Sequence, residues 1–145
     1  MLTQWAFAQK IISIKTNFPE YLIQGSKQEI KATIINRDTV EHTGTITLEL
    51  IDVSTNKSVD GWFVNIFPFQ YFTAAKDDSC IIKFPIQVPM NYTKKLKYRL
   101  VASSKIIKND DDLKDIVSDT LENTSLVISK SKAANLKKKH KKSFG

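Results

Sequence analysis

The stretch Phe18–Leu50 reads FPEYLIQGSKQEIKATIINRDTVEHTGTITLEL. Pro19 holds Phe18 in an extended conformation, and Gly25, between Gln24 and Ser26, marks a turn. Two runs of strict alternation follow. Ile30, Ala32 and Ile34 share one face of the first run, and Ile46, Leu48 and Leu50 share one face of the second. Lys31 and Thr33, then Thr45, Thr47 and Glu49, fall on the opposite faces. Apolar residues at a period of two predict half-buried antiparallel strands, each with one face on a core and one in water.

The same pattern continues on both sides. Residues 1–10 form a leading arm or strand carrying Trp5 and Phe7, and Ile11–Lys15 is a short strand with Ile12 and Ile14 on one side. Polar residues from Asn36 to Gly44 make a turn, and Asp52–Gly61 makes a loop or hairpin tip. In Ser79–Val88, Cys80, Ile82, Phe84, Ile86 and Val88 alternate with Ile81, Lys83, Pro85 and Gln87. Pro85 has no N–H to give to a ladder, so this strand belongs at a sheet edge or carries a bulge. Leu96, Tyr98, Leu100 and Ala102 define another strand, and Leu126 and Ile128 the last. Residues 105–119 fit either a short helix, with Ile106, Ile107, Leu113, Ile116 and Val117 as its stripe, or an acidic loop. Seven or eight short strands at this spacing predict an all-β, antiparallel sandwich over residues 11–129.

The aromatic run at 61–72, GWFVNIFPFQYF, has two readings. One is an exposed docking surface with Trp62 and Phe63, joined by Trp5 and Phe7, as interface aromatics. The other is a strand pair whose rings fill the core, which the period of two in Phe67, Phe69 and Tyr71 favours.

Charge is distributed unevenly. The chain has 22 basic and 15 acidic residues, a formal charge of +7. Seven lysines (130, 132, 137, 138, 139, 141 and 142) fall in the last sixteen residues, which contain no acid. The remaining 15 basic residues balance the 15 acids, so the body is neutral. The basic character belongs to a segment, residues 130–145, expected to be a disordered tail. Lys137, Lys138, Lys139, Lys141 and Lys142 are its candidate contacts to nucleic acid or another polyanion.

Catalytic and metal chemistry find little material. One cysteine excludes an internal disulfide and multi-cysteine metal sites. Cys80, on an inward strand position, reads as a buried and unreactive thiol. His42 and His140 are far apart in sequence. Asn109 and Asp110–Asp112, with Asp115 and Asp119, lack the alternating spacing and glycine of a calcium loop. The triplets at Asn56, Asn91 and Asn123 fit glycosylation sequons, which mean little without export. Ala6-Phe7-Ala8 has a cleavage-site flavour, but the stretch before it is short and lacks a basic start, so no export signal is expected. No run approaches the ~18 apolar residues of a membrane span. Neither a cofactor, a metal site nor an enzymatic activity is expected.

Several phrases together resemble bacterial α2-macroglobulin proteins. Pro19, Gly25, Ile30, Ala32, Ile34 and Asn36 match the entry into one of that family's sandwiches, and Phe72–Pro89 and Tyr98–Ala102 match two later phrases. The overlap covers about residues 5–129. The resemblance implies a CUB-like or macroglobulin-like sandwich of the kind that precedes the thioester domain, in a family of large exported protease traps. It also implies adjacent domains as partners, and proteases only by family analogy. The family's thioester motif, Cys-x-x-Gln, is not matched, because Cys80 is followed three residues on by Lys83. No bait region is matched, and residues 105–119 are longer than the family's connection and lack glycine. The expectation is a truncated or excised structural module without the trap's chemistry. The alternative is a free-standing Ig-like binding module whose basic tail contacts nucleic acid or an anionic surface.

Overall fold

A computed structural model describes residues 10–107 and 114–144. Nine strands precede one helix: β1 (Ile12–Thr16), β2 (Tyr21–Ile23), β3 (Lys27–Asn36), β4 (His42–Asp52), β5 (Lys57–Ser58), β6 (Phe69–Ala74), β7 (Ser79–Gln87), β8 (Leu96–Ile107), β9 (Lys114–Ile128) and α1 (Lys130–Phe144). They form an all-β sandwich. One sheet runs β1-β3-β7, and the other β2-β9-β8-β4, with β5 and β6 both pairing along β4.

The opening stretch supplies strands to both layers. β1 pairs with β3 in the smaller sheet, whereas β2 pairs with β9 in the larger one. The switch falls at Phe18-Pro19, where Phe18 stacks on Tyr98 with ring centroids 3.9 Å apart. Ser125 donates its hydroxyl to the Pro19 carbonyl at 2.8 Å, fixing the crossing. The β2–β9 pair is parallel, so the larger sheet is mixed where a wholly antiparallel one was expected. Gly25 then turns the chain back with φ +78°, a conformation glycine adopts at little cost.

Alternation places the core as the sequence pattern requires. Ile30, Ala32 and Ile34 of β3 and Ile46, Leu48 and Leu50 of β4, all fully buried, share one core with Phe84 of β7 and Leu96 and Leu100 of β8. Burying each such side chain stabilises the fold by about 1.5–3 kcal/mol. Asn36 ends the inward series of β3 as a polar residue only 1% exposed. Its Nδ2 donates to the carbonyls of Val40, Ala74 and Ala75 (2.9, 3.0 and 3.1 Å), and its Oδ1 accepts the Asp38 N–H at 2.9 Å. It ties the 36–42 turn to the end of β6.

β7 is an edge strand with unbroken register from Lys27↔Gln87 to Ile35↔Ser79. Pro85 therefore sits at an edge without a bulge. The Gln87 N–H points away from β3, to the Phe63 carbonyl, and the Lys83 carbonyl accepts Gln70 Nε2. By the same period of two, Pro85 turns its missing N–H outward. The Ser79 N–H is taken by Asp78 Oδ1. On the opposite side, Asp119 closes β1 against β9: its Oδ2 accepts the Ile14 N–H at 2.9 Å and its Oδ1 pairs with Lys10.

Two segments differ from expectation. Within 105–119, the described residues are strand: β8 reaches Ile107 and β9 starts at Lys114, with Lys105↔Ile116 and Ile107↔Lys114 in register. The β-branched residues Ile106, Ile107, Ile116 and Val117 favour the pleated backbone, and the pairing of β8 with β9 outweighs a weak helical stripe. Residues 130–144, expected without regular structure, are helical. Lys, Ala and Leu are good helix formers, with no Gly or Pro to interrupt them. Ser129 caps the start, its Oγ accepting the Lys132 N–H at 3.1 Å.

Candidate interaction surface

The 61–72 segment divides between core and surface. Phe63 is fully buried and Phe72 nearly so, whereas Trp62, Val64, Ile66, Phe67, Phe69 and Tyr71 stand in solvent, Ile66 at 64% and Tyr71 at 74% exposure. Phe63, expected among the interface aromatics, is instead a core residue. It packs edge-on against buried Tyr92 at 5.0 Å, and Trp62 lies against the outer side of the same ring at 5.4 Å. Burial, with the nearby Asp52 carboxylate second, pushes the Tyr92 phenol up to about 12. Trp5 and Phe7 lie outside the described residues.

The expectation that Phe67, Phe69 and Tyr71 fill the core is overturned by register. Phe69 and Tyr71 pair with Thr47 and Thr45, which face outward, while Phe72 and Ala74 pair with Gly44 and His42 on the inward parity. Gln70 occupies the remaining inward position at the open side of the sandwich, and its side chain reaches across to β7. Phe69 and Tyr71 touch edge to face at 5.4 Å.

A tethered loop presents the rest of this surface. Between β5 and β6 the chain leaves the ladder, and side chains replace it. Asp60 Oδ1 accepts the Leu50 N–H at 2.8 Å and Asn65 Nδ2 at 2.9 Å, and Asn65 Nδ2 also donates to the Leu48 carbonyl. Val64 is held at φ +53°, a left-handed conformation that costs a β-branched residue of order 1–3 kcal/mol. Between Val64, Ile66 and Pro85 runs an open groove of about 400 Å³, with Lys27 and Glu29 at its lip and Ile86 at its base. Together the exposed side chains and the groove make this face the candidate interaction surface.

Other groups with chemical potential are occupied structurally. His42 begins β4 and is buried; its Nε2 lies 2.8 Å from Asp38 Oδ2 and its Nδ1 2.7 Å from Ser104 Oγ. This Ser–His–Asp constellation was not legible in the sequence, since Ser104 comes from a strand 62 residues away. His42 and Ser104 are each 1% exposed, so the arrangement joins the 36–42 turn to β8 and presents no hydroxyl to a substrate. The hydrogen bond from His42, then that from the Thr39 amide, holds the Asp38 carboxyl below its usual range. Cys80 is part-buried, and burial followed by the charge of Asp78 pushes its thiol up. Asp119, weighed as a calcium ligand, is engaged by Ile14 and Lys10. The run Asn109–Asp112 lies outside the described residues, among which no three His, Cys, Asp or Glu group to hold a metal.

The lysine-rich segment is a helix that follows directly on β9. Ala133 and Ala134 approach Ile23 near its base, and Lys130, Lys132, Leu136 and Lys137 are exposed. No helix among the described residues is long and apolar enough to cross a membrane.

In fold the sandwich is similar to macroglobulin domains. A structure of native α2-macroglobulin from Escherichia coli, spanning domain MG7 to the C-terminus, superposes with TM-score 0.58 and 11% identity over 81% of this chain and 16% of that one. Salmonella α2-macroglobulin reacted with methylamine superposes with TM-score 0.51 and 14% identity over 81% of this chain and 7% of that one. The CARDB domain of a Pyrococcus furiosus protein, crystallised with di-metal ions, gives TM-score 0.50 at 9% identity, over 81% of this chain and 85% of that one. These identities show a common fold alone. The chain thus spans a small part of the macroglobulin structures it matches. No family model matches the chain, and no curated protein matches it.

Proposed function

We propose that this chain is a non-catalytic β-sandwich module of a larger macroglobulin-like protein, seated against adjacent domains through the band formed by Trp62, Val64, Ile66, Phe67, Phe69 and Tyr71. The observation that carries this reading is the band itself. Large apolar side chains stand in water on a loop tethered by Asp60 and Asn65, with a left-handed valine among them. Such a surface is costly for an isolated domain and ordinary for one that packs on a neighbour. The likeness to one part of much longer macroglobulin chains supports the same reading.

The trap's covalent chemistry has no counterpart here. A thioester needs an accessible, activated cysteine and a glutamine three residues on, whereas Cys80 is part-buried in β7 and followed at that spacing by Lys83. Any dealing with proteases would belong to a whole assembly. The test is solvent labelling of Trp62 and Tyr71 in this chain and in a continuous polypeptide made with the adjoining reading frames. Strong protection in the longer chain is the expected result. Equal labelling in both, or adjoining frames that encode no related domain, would refute the proposal.

One observation favours a second reading, a free-standing binding module. The seven lysines of residues 130–145, with no acid among them, lie in a segment that is helical over Lys130–Phe144. That geometry suits contact with a polyanion.

A further inference from the structure

α1 cannot owe its helical form to its own charges. Lys130 and Lys132 occupy its first turn, where the helix dipole disfavours positive charge, and no acid stands there to compensate. Lysines at 137 and 141, and at 138 and 142, are four residues apart, a spacing at which like charges destabilise a helix. A fifteen-residue helix is marginal in water even without repulsion. What this helix lacks is a surface of negative charge laid along it.

The sequence also carries a narrow apolar stripe. Positions 133, 136 and 144 recur at i, i+3 and i+11 and hold Ala133, Leu136 and Phe144, with the polar His140 at i+7 on the same side. The lysine positions are distributed around the rest of the helical circumference. In the described part of the stripe, Leu136 is 38% exposed. On duplex DNA such a stripe gains nothing, because the contacts are to phosphates all around. Nor is single-stranded nucleic acid favoured, since the segment holds one aromatic residue where base stacking needs several. At a bilayer surface both features are used at once: Leu136 and Phe144 enter the headgroup boundary while lysines meet anionic headgroups. We propose that α1 is an interfacial helix that docks this chain on membranes rich in anionic phospholipid, a role that rests on the chain being a free-standing binding module.

The intact chain should be mixed with vesicles of phosphatidylcholine containing about 30% phosphatidylserine, with pure phosphatidylcholine vesicles, and with duplex DNA, and binding measured by sedimentation. Binding to the anionic vesicles alone is expected, weakening more than tenfold between about 50 and about 500 mM salt as screening shortens the reach of the charges. The triple variant Lys137→Glu/Lys138→Glu/Lys141→Glu should lose roughly a hundredfold in vesicle affinity. The pair Leu136→Ser/Phe144→Ser should weaken vesicle binding severalfold and leave any residual DNA binding unchanged. Absence of binding to anionic vesicles overturns the proposal. So does tighter binding to DNA, or vesicle binding indifferent to Leu136→Ser/Phe144→Ser. None of these substitutions touches the 62–71 band, so failure here leaves the module reading to its own labelling test.

Discussion

Asn36 offers a sharp test of how this sandwich is held together. Replacing it with alanine removes the donor shared by Val40, Ala74 and Ala75 and the acceptor for the Asp38 amide. The Ala74 contact is fully buried, and the other three are part-buried. A buried carbonyl stranded without a partner costs about 1–3 kcal/mol, and each part-buried bond contributes about 0.5–1.5 kcal/mol. Partial rescue by water makes a loss of about 3–5 kcal/mol reasonable, out of a total stability of about 5–15 kcal/mol for a domain of this kind. In thermal unfolding followed by circular dichroism, that is a fall in Tm of about 10 °C. Asn36→Asp separates hydrogen bonding from shape. It keeps the acceptor for the Asp38 amide but sets a carboxylate against three carbonyl oxygens, so at neutral pH it should be less stable than the alanine variant. In acid the protonated carboxyl regains one donor and the order should narrow. If Asn36→Ala costs under about 1 kcal/mol, or Asn36→Asp matches the parent at neutral pH, the account of this junction is wrong.

Four further outcomes are expected of the same structure. A Cβ on Gly44 would lie 1.9 Å from the Ser103 carbonyl oxygen and 2.7 Å from Ser104 Cα. Gly44→Ala should therefore push β4 off β8 at a cost of about 3 kcal/mol, read by urea unfolding. Val64→Gly relieves the left-handed strain at φ +53° and, after the added entropy of glycine, should raise stability by up to about 1 kcal/mol; a clear fall in Tm would contradict the strain. The Asp38 and Asp52 carboxyls lie below the ordinary 3.8, Asp38 through His42 and Asp52 through the Ser54 hydroxyl. Depressed folded-state values stabilise the fold above the unfolded pKa, so this contribution is complete at neutral pH and is lost as pH falls through 3.8 and below. Asp38→Asn and Asp52→Asn should flatten the acid limb of a stability–pH profile. Cys80, with its thiol pushed up by burial, should react slowly with thiol reagents at neutral pH and much faster once urea unfolds the chain.

Strands with one apolar parity were legible. β3, β4, β7 and β8 each carry apolar residues at alternate positions and polar ones between, so one register alone buries them. Pro85 marked β7 as an edge strand or a bulged one for a local reason, its missing N–H, and the unbroken pairing with β3 shows the edge. β6 was ambiguous, because Phe69, Tyr71 and Phe72 put large rings on both parities. Only pairing with the outward threonines of β4 decides which ring enters the core. The His42–Ser104 contact and the Asp119 closure join residues 62 and 105 positions apart, a separation that no local pattern spans. The apolar band was seen as a run of aromatics, but which of them face water depends on Tyr92, which draws Phe63 inward and leaves Trp62 outside.

The outer side of β7 has a consequence for crowding. Of its outward groups, the Gln87 N–H meets the Phe63 carbonyl, the Lys83 carbonyl meets the Gln70 amide and the Ser79 N–H meets the Asp78 carboxylate, while Pro85 has no N–H to offer. Were that side bare, sandwiches held close to one another could stitch their sheets together strand by strand, and such stitching does not stop at two. With these groups engaged and Pro85 breaking the run, a neighbouring strand would find only a short, interrupted ladder here. An encounter through Ile66 or Tyr71 is then favoured to end at the side chains of the apolar band and not to run on along this edge.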